Sequence, residues 1–252
     1  MKLLVVTTCT KEKRDHPENH LVQEDFSDKE NFIHREQELS DFAYPAGEMY
    51  TGKQHLLVME GIQSLRKQFG EEYVDLYVVS AGYGLISEKQ IIVPYDVTFN
   101  TMNSSEMTEW SRQLGIHENL ETLLKQKQYD LVLFLLGDKY LRAINPPFQG
   151  VNPAQKFVFF ANRTSRKIIP GQAPYYFVEV GRQDVKSFGC GLAGLKGYLF
   201  KLLAQGAVSD DAFLFERIYR DPNCIMAFLE KHRRNHSSCV PPHVLHEHGL
   251  RS

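Results

Sequence analysis

Residues 78–98 constrain the fold of this chain more than any other stretch. An apolar run that ends at Ser80 meets the turn Ala-Gly-Tyr-Gly at 81–84, and a second extended run is closed by Pro-Tyr-Asp at 94–96. Glycines two residues apart permit a positive φ or the close approach of another group. Spacing alone predicts a strand, a tight turn and a second strand. The polar side chains gathered near this turn are Ser80, Tyr83, Tyr95 and Asp96.

Apolar runs elsewhere alternate with segments of helical periodicity. The predicted strands are 3–8, 74–80, 131–136, 157–160 and 176–180. The predicted helices are 32–42, 48–69, 104–114, 117–127, one that follows 189–194 and ends at 203, 210–219 and 222–234. This alternation predicts an α/β fold with a mixed, largely parallel central sheet flanked by helices. The C-terminal third is predicted to be mainly helical.

The size and composition of the chain are those of a protein with a substantial core. It has 252 residues, of which 42% are hydrophobic and 24% charged. We assign 1–206 to the α/β core and 207–252 to a helical extension with a histidine-rich tail, within the same domain. A net charge of −2 argues against a general polyanion-binding surface but permits a local basic groove.

The predicted location is cytoplasmic. No apolar run approaches the roughly 18 residues that a membrane span requires. The apolar start of the chain leads directly into a polar segment, which favours a first strand over a signal peptide. Four cysteines lie far apart, as is typical of a reducing compartment.

Two cysteines are candidate nucleophiles. Cys9 follows the first predicted strand, and open α/β sheets place ligands at the carboxyl ends of their strands. Positive charge on Lys11, Lys13 and Arg14 would favour its thiolate form. Cys190 lies at a predicted helix start within the glycine-rich segment 189–194, which is itself either an anion site or a helix–sheet contact. The alternative for Cys9 is an inert, buried side chain.

Two carboxylates are candidates for proton transfer. Glu48 lies near the start of a predicted helix, where a negative charge is stabilising in any case. Asp96 follows Tyr95 in the second extended run. Placed in a pocket, either carboxylate can serve as an acid or a base.

The tail concentrates histidine. Five of the ten histidines fall in the last 21 residues, together with one cysteine: His232, His236, Cys239, His243, His246 and His248. Their spacing fits no standard zinc finger, so a solvated tail is the default and a zinc site the alternative. The basic residues that are candidates for phosphate contact are Arg163, Arg166, Lys167, Arg233 and Arg234.

Three segments carry a family resemblance. Ser-x-x-Tyr-Gly-Leu-Ile at 80–86, followed by Pro-Tyr-Asp at 94–96, resembles the signature of the DUF328/YaaA superfamily. The segment 45–52 resembles the Pro-Ala-x-x-Leu-Tyr-x-Gly helix entry of its small members. Cys9-x-x-x-Lys13, with His20 beyond it, is similar to a segment of archaeosine synthases, although His20 falls one position early. The resemblance covers about 3–140.

The resemblance implies a YaaA-like fold and, most closely, the chemistry of the DpdC group. That chemistry hydrates the nitrile of 7-cyano-7-deazaguanine in DNA to a carboxamide. Cys9 would form a thioimide while Glu48 or Asp96 protonates the nitrogen. Tyrosine rings would stack the flipped base, and amides of the 81–84 turn would stabilise developing charge. The residues expected to bind substrate are Lys13, Tyr50, Ser80, Tyr83, Gly84, Tyr95 and Cys190.

Other functions remain open at this point. The same superfamily includes DNA-binding proteins without catalysis, and a carboxylate-based N-glycosidase is a further alternative. The expected partners are DNA that carries a modified base and other DNA-modification proteins, with no membrane partner. The proposed chemistry requires no redox, nucleotide or metal cofactor.

Overall fold

The structure, a computed structural model, describes residues 1–233. Its strands are β1 (Leu3–Thr8), β2 (Tyr44–Pro45), β3 (Val74–Ser80), β4 (Gly84–Ser87), β5 (Ile91–Ile92), β6 (Leu131–Leu135), β7 (Lys156–Ala161) and β8 (Tyr175–Glu179). Its α-helices are α1 (Lys29–Glu38), α2 (Ala46–Met49), α3 (Lys53–Phe69), α4 (Ser104–Gln113), α5 (Ile116–Gln126), α6 (Asp138–Ile144), α7 (Arg182–Phe188), α8 (Leu195–Ser209), α9 (Leu214–Arg220) and α10 (Cys224–His232).

Six strands form the central sheet in the order β4-β3-β1-β6-β7-β8. Only β4 is antiparallel to its neighbour, because the turn at 81–84 folds it back on β3. The other pairs are parallel, with Thr8 opposite Val79 and Thr7 opposite Leu135. The predicted mixed, largely parallel sheet flanked by helices is therefore confirmed.

Both faces of the sheet are covered, which explains the unbroken apolar runs of β1 and β6. Side chains on one face pack with α4, α5 and α6, and those on the other face pack with α3 and α8. Alternate residues of β1 divide between the two cores: Leu4 and Val6 join the first, and Leu3 and Val5 join the second. This alternation follows from the two-residue period of a strand.

The strand order reverses between β1 and β6. From β1 the chain crosses through α3 to β3 on one side, and it then returns through α4 and α5 to β6 on the other side of β1. Successive crossovers on opposite faces leave a crevice at the carboxyl ends of the two strands where the order changes. Open α/β proteins bind ligands in this crevice.

Two of the differences between the predicted helices and the structure concern candidate site residues. The helix expected at 48–69 is divided into α2 and α3, because Tyr50 is extended and pairs with Lys13 across the gap. The helix that follows the glycine-rich segment begins at Leu195, after a short turn of 3-10 helix at Leu192–Gly194, and it continues to Ser209 rather than ending at 203. Cys190 is consequently not at a helix N-terminus, and that part of the prediction is wrong.

The C-terminal helices extend the second core. Leu214 and Ile218 of α9 and Leu229 of α10 are buried in the same cluster as Leu3 and Val5 of β1. The last predicted helix ends at His232 rather than at 234. Within the described range, no helix combines the length and the apolar character needed to span a membrane.

Candidate active site at the reversal of strand order

Cys9 and Tyr140 are in contact at the point where the strand order reverses between β1 and β6. Cys9 directly follows β1, and its N–H donates to the Val79 carbonyl at 3.0 Å, which fixes the backbone at the end of the strand. Tyr140 lies in the first turn of α6, just after β6. The half-buried Cys9 sulfur is 3.2 Å from the Tyr140 hydroxyl. The predicted nucleophile thus lies at the edge where the fold places a ligand site.

The surroundings of Tyr140 keep its phenol protonated. Burial raises its pKa, and the adjacent Cys9 sulfur raises it further. A protonated phenol can donate to a sulfur atom, and the donation is strongest when the sulfur carries a negative charge. The Tyr140 hydroxyl is therefore available as a hydrogen-bond donor to the sulfur.

Lys13 is a buried cation beside the same sulfur. Its side chain is 8% exposed, and its ammonium lies 4.2 Å from the centroid of the Tyr95 ring. Burial lowers the pKa of Lys13, and the nearby charges of Cys9 and Asp96 act in the opposite direction. One ammonium group is therefore coupled electrostatically to two of the three predicted catalytic groups, Cys9 and Asp96.

The polar segment that holds Lys13 is fixed at both ends. Lys13 forms a bridge with Tyr50, and the Arg14 N–H donates to the Met49 carbonyl at 2.9 Å. Farther along, the Leu21 N–H donates to the Pro94 carbonyl at 3.0 Å. These bonds hold the segment across the carboxyl edge of the sheet.

A cleft of about 430 Å³ opens over this segment. The residues that line it are Lys11, Glu12, Lys13, His16, Pro17, Glu18, His20, Pro94, Tyr95 and Asp96. The His20 ring donates from Nδ1 to the Pro17 carbonyl at 2.9 Å, which leaves Nε2 as the acceptor of a neutral ring. Cys9 is not among the lining residues, and Lys13 and Tyr95 are lining residues that interact electrostatically with its sulfur.

A buried hydroxyl network supports Tyr95. Its hydroxyl lies 2.7 Å from the Tyr50 hydroxyl and 2.7 Å from the Ser80 hydroxyl. Tyr50 and Ser80 have no exposed surface, so in this structure they contact Tyr95 rather than the open cleft. Burial raises the pKa of Tyr50 and of Tyr95, which keeps the two hydroxyls protonated as donors.

The backbone amides of the 81–84 turn point inward. The N–H groups of Gly82 and Tyr83 donate to the Ser80 hydroxyl at 3.2 and 3.0 Å. They are therefore occupied, contrary to the expectation that they face a substrate. Gly84 has a φ of 73°, and a side chain on Gly82 would collide with the Phe26 and Tyr95 rings. The two predicted reasons for glycine in this turn, a positive φ and the close approach of another group, therefore both apply.

The two tyrosines expected to stack a base are already engaged. The Tyr83 hydroxyl donates to Glu36 at 2.9 Å and accepts from the Val93 N–H at 3.1 Å. The ring of Tyr95 is only 3% exposed, and the Lys13 ammonium lies over it. A base entering the cleft would therefore meet Lys13 before it met either ring.

The two candidate carboxylates are separated. Asp96 is exposed and lines the cleft with Lys13. Glu48 lies outside the cleft lining and forms an exposed ion pair of 3.0 Å with Arg14, whose guanidinium covers the Tyr44 ring. Of the two candidates, Asp96 is therefore the one that lines the cleft with Lys13.

Cys190 and the tail do not join this site. Cys190 is buried in the second core, on the opposite face from the Cys9–Tyr140 contact, and its thiol faces the Gly191 carbonyl at 3.6 Å. Of the histidine cluster, only His232 is described, and it bonds the Phe228 carbonyl. His236, Cys239, His243, His246 and His248 lie outside the described residues. Across residues 1–233, no three metal-ligating side chains come together.

Tyr140 and His16 were not predicted as site residues. The only sequence signal for Tyr140 is its position in the first turn of the helix that follows β6. That signal becomes useful only once β6 is known to lie beside β1. His16 lies in the polar segment, whose path over the sheet edge depends on its bonds to 49–50 and 94–96.

The fold and the site together define an open, doubly wound α/β protein with a candidate nucleophile at the reversal of strand order. Residues 36–168, more than half of the chain, match DUF6884, a family of unknown function, and the chain belongs to that family. The matched range contains Tyr95, Asp96 and Tyr140, whereas Cys9 and Lys13 precede it. No curated protein matches the sequence.

Proposed function

We propose that this protein hydrates the nitrile of 7-cyano-7-deazaguanine in DNA to the carboxamide, with Cys9 as the nucleophile. The observation that carries the proposal is the 3.2 Å contact between the Cys9 sulfur and the Tyr140 hydroxyl at the carboxyl edge of the sheet. Lys13 adds a buried positive charge at the same place. The resemblance of 80–86 and 94–96 to the DUF328/YaaA signature supports the choice of substrate.

The first step is addition of the thiolate to the nitrile carbon. Sulfur attacks a nitrile more readily than water does, and the covalent intermediate divides one difficult addition into two easier ones. Tyr140 and Lys13 stabilise the thiolate before the attack. As the C–S bond forms, Lys13 donates a proton to the nitrile nitrogen and becomes a neutral amine. Its lowered pKa makes it a better acid than an ordinary lysine.

The second step is attack of water on the thioimide carbon. His20 lines the cleft with Nε2 free, and it accepts a proton from the water and passes it to the imide nitrogen. The tetrahedral adduct then carries one hydroxyl group, one amino group and the sulfur. Its collapse returns the hydroxyl proton to Lys13, expels the thiolate and leaves the carboxamide. The net change is the addition of one water molecule.

The cleft suits a single base. Ligand sites for small molecules have volumes of about 300–1,000 Å³, and this cleft is about 430 Å³. The exposed Asp96 carboxylate is an acceptor for the N–H donors on the edge of a guanine-like base. A base in duplex DNA would be flipped out of the helix to enter the cleft. The reaction takes place in the cytoplasm and needs no cofactor.

Nucleoside analysis tests the proposal. Duplex DNA that carries 7-cyano-7-deazaguanine is incubated with the protein, digested and analysed by mass spectrometry. Wild type and Cys224→Ala, which removes another half-buried thiol, should both yield the nucleoside with one added water. Cys9→Ala should yield none. Conversion by Cys9→Ala at the wild-type rate would refute the role of Cys9. Release of free base by wild type would indicate an N-glycosidase. Binding of the DNA without conversion would indicate a DNA-binding protein.

A further inference from the structure

A second cleft opens at the carboxyl edge of the sheet, beyond β7 and β8. Its volume is about 620 Å³. Arg163 follows β7, Arg182 begins α7 after β8, and Lys196 lies in the first turn of α8. Three elements thus bring cationic side chains to one concave surface, together with the carboxylate of Glu179.

Both arginines of this cleft are exposed, and within residues 1–233 neither forms an ion pair or a side-chain hydrogen bond. Two other surface arginines differ in this respect. Arg112 pairs with Glu109, and Arg142 pairs with Asp138. Two guanidinium groups without partners that line one cavity are available to an anion.

Lys196 supplies the floor of the cleft. Its half-buried ammonium donates to the Leu136 carbonyl at 2.6 Å, immediately after β6. Burial lowers the pKa of Lys196 to about 8. A buried ammonium with a single carbonyl partner has two more N–H donors to offer, and an anion would replace part of its lost solvation.

We infer that Arg163, Arg182 and Lys196 form a binding site for a phosphate group. Guanidinium groups match phosphate oxygens in a bidentate geometry, and an ammonium supplies a point charge. The carboxylate of Glu179 at the rim offsets one of the three positive charges. The phosphate belongs either to a nucleic acid backbone or to a free phosphorylated small molecule.

The position of the site connects it with the candidate active site. Leu136, which accepts from Lys196, is four residues before Tyr140, which contacts Cys9. Both sites therefore lie along the carboxyl edge of the same sheet. Naming DNA as the source of the phosphate rests on the proposed function, whereas phosphate binding itself does not involve Cys9.

Binding measurements with two probes test this inference. The probes are a fluorescein-labelled single-stranded oligodeoxynucleotide and inorganic pyrophosphate. The test variant is Arg163→Gln/Arg182→Gln. The control is Lys67→Gln/Lys89→Gln, which removes the same charge from exposed positions in the last turn of α3 and just after β4, toward the opposite edge of the sheet. Because charge-assisted hydrogen bonds are the stronger class, the test variant should lose affinity by about tenfold or more for at least one probe.

The two probes separate the sources of the phosphate. For the oligonucleotide, loss of two phosphate contacts should also reduce the slope of log affinity against log salt by about 1.4. Loss of oligonucleotide binding supports a backbone site, and loss confined to pyrophosphate supports a free phosphorylated ligand. Equal affinities of the test and control variants, or no binding of either probe by wild type, would overturn the inference.

The outcome is independent of the nitrile reaction. Cys9→Ala should bind both probes as wild type does, because Cys9 is not part of this cleft. If wild type fails to convert the nitrile while the arginine variant still loses phosphate binding, the proposed function fails and this site stands. If conversion is observed and the test variant binds like its control, this site alone is refuted.

Discussion

The Cys9 sulfur lies 3.2 Å from the Tyr140 hydroxyl although 131 residues separate the two in sequence. Cys9 directly follows β1 and Tyr140 lies in the helix after β6, and the strand order reverses between these two strands. The contact therefore depends on the doubly wound topology and not on any local motif. In the proposed reaction, the phenol donates to the sulfur and stabilises the thiolate.

Removal of the Tyr140 hydroxyl should slow the reaction of Cys9 with alkylating reagents. A hydrogen bond to a charged group contributes about 1.5–3 kcal/mol, so Tyr140→Phe should reduce the rate of iodoacetamide labelling at Cys9 by about tenfold near neutral pH. Labelling is followed by peptide mass mapping, which separates Cys9 from Cys190 and Cys224. Tyr129→Phe, which removes a buried hydroxyl that donates to Asp75, is the control and should leave the rate unchanged. Equal rates in both variants would exclude the stabilising role.

Tyr95→Phe should destabilise the fold. It removes the hydroxyl that bonds both the Tyr50 and the Ser80 hydroxyl, and loss of a partner for a buried polar group costs about 1–3 kcal/mol. Chemical denaturation measures the free energy of unfolding. Tyr219→Phe removes a hydroxyl that bonds the Ala154 carbonyl at the surface and should change stability by less than about 0.5 kcal/mol. A loss no larger than that of the control would show that the network is not stabilising.

Gly84→Ala should be more harmful than Gly115→Ala. Both glycines have positive φ, which costs a side-chain residue about 1–2 kcal/mol. A Cβ on Gly84 would also lie 2.9 Å from the Leu114 carbonyl oxygen, whereas one on Gly115 would meet only the movable Asn119 amide. Thermal unfolding of the two variants compares them directly. Equal melting temperatures would mean that the backbone at Leu114 shifts freely.

Stability should fall in mild acid because of His55. This ring is fully buried, its Nε2 bonds the Gly47 carbonyl, and burial lowers its pKa. In the unfolded chain, His55 has the ordinary histidine pKa of about 6.5 and takes up a proton at a higher pH than in the folded chain. The free energy of unfolding therefore falls as the pH decreases from about 6.5. The linked slope is at most about 1.4 kcal/mol per pH unit. His55→Gln should be less stable at pH 8 but should lose less on acidification, and parallel pH profiles would contradict this assignment.

Local sequence patterns were sufficient to locate strands of the central sheet. The runs at 3–8 and 74–80 are strands with the predicted ends, because buried parallel strands are continuous in apolar residues. The break before Lys53 was not predictable, since it depends on Lys13 pairing with Tyr50. A helical period continues across 48–69 whether or not a distant segment interrupts it.

The candidate site was predictable only in part. Cys9 could be placed because the end of the first strand is visible in the sequence. Tyr140 could not be placed, because its contact with Cys9 can be foreseen only when β6 is known to lie beside β1. Spacing also could not distinguish Glu48, which pairs with Arg14 outside the cleft, from Asp96, which lines it.

Mass mapping of a trapped intermediate tests the central claim most directly. Wild-type protein is mixed with DNA that carries 7-cyano-7-deazaguanine, quenched within a turnover and digested to peptides and nucleosides. The account predicts a thioimide adduct on the peptide that contains Cys9, and about tenfold less of it in Tyr140→Phe at the same early time. Carboxamide formed without any adduct at Cys9, or with the adduct at Cys190, would contradict it.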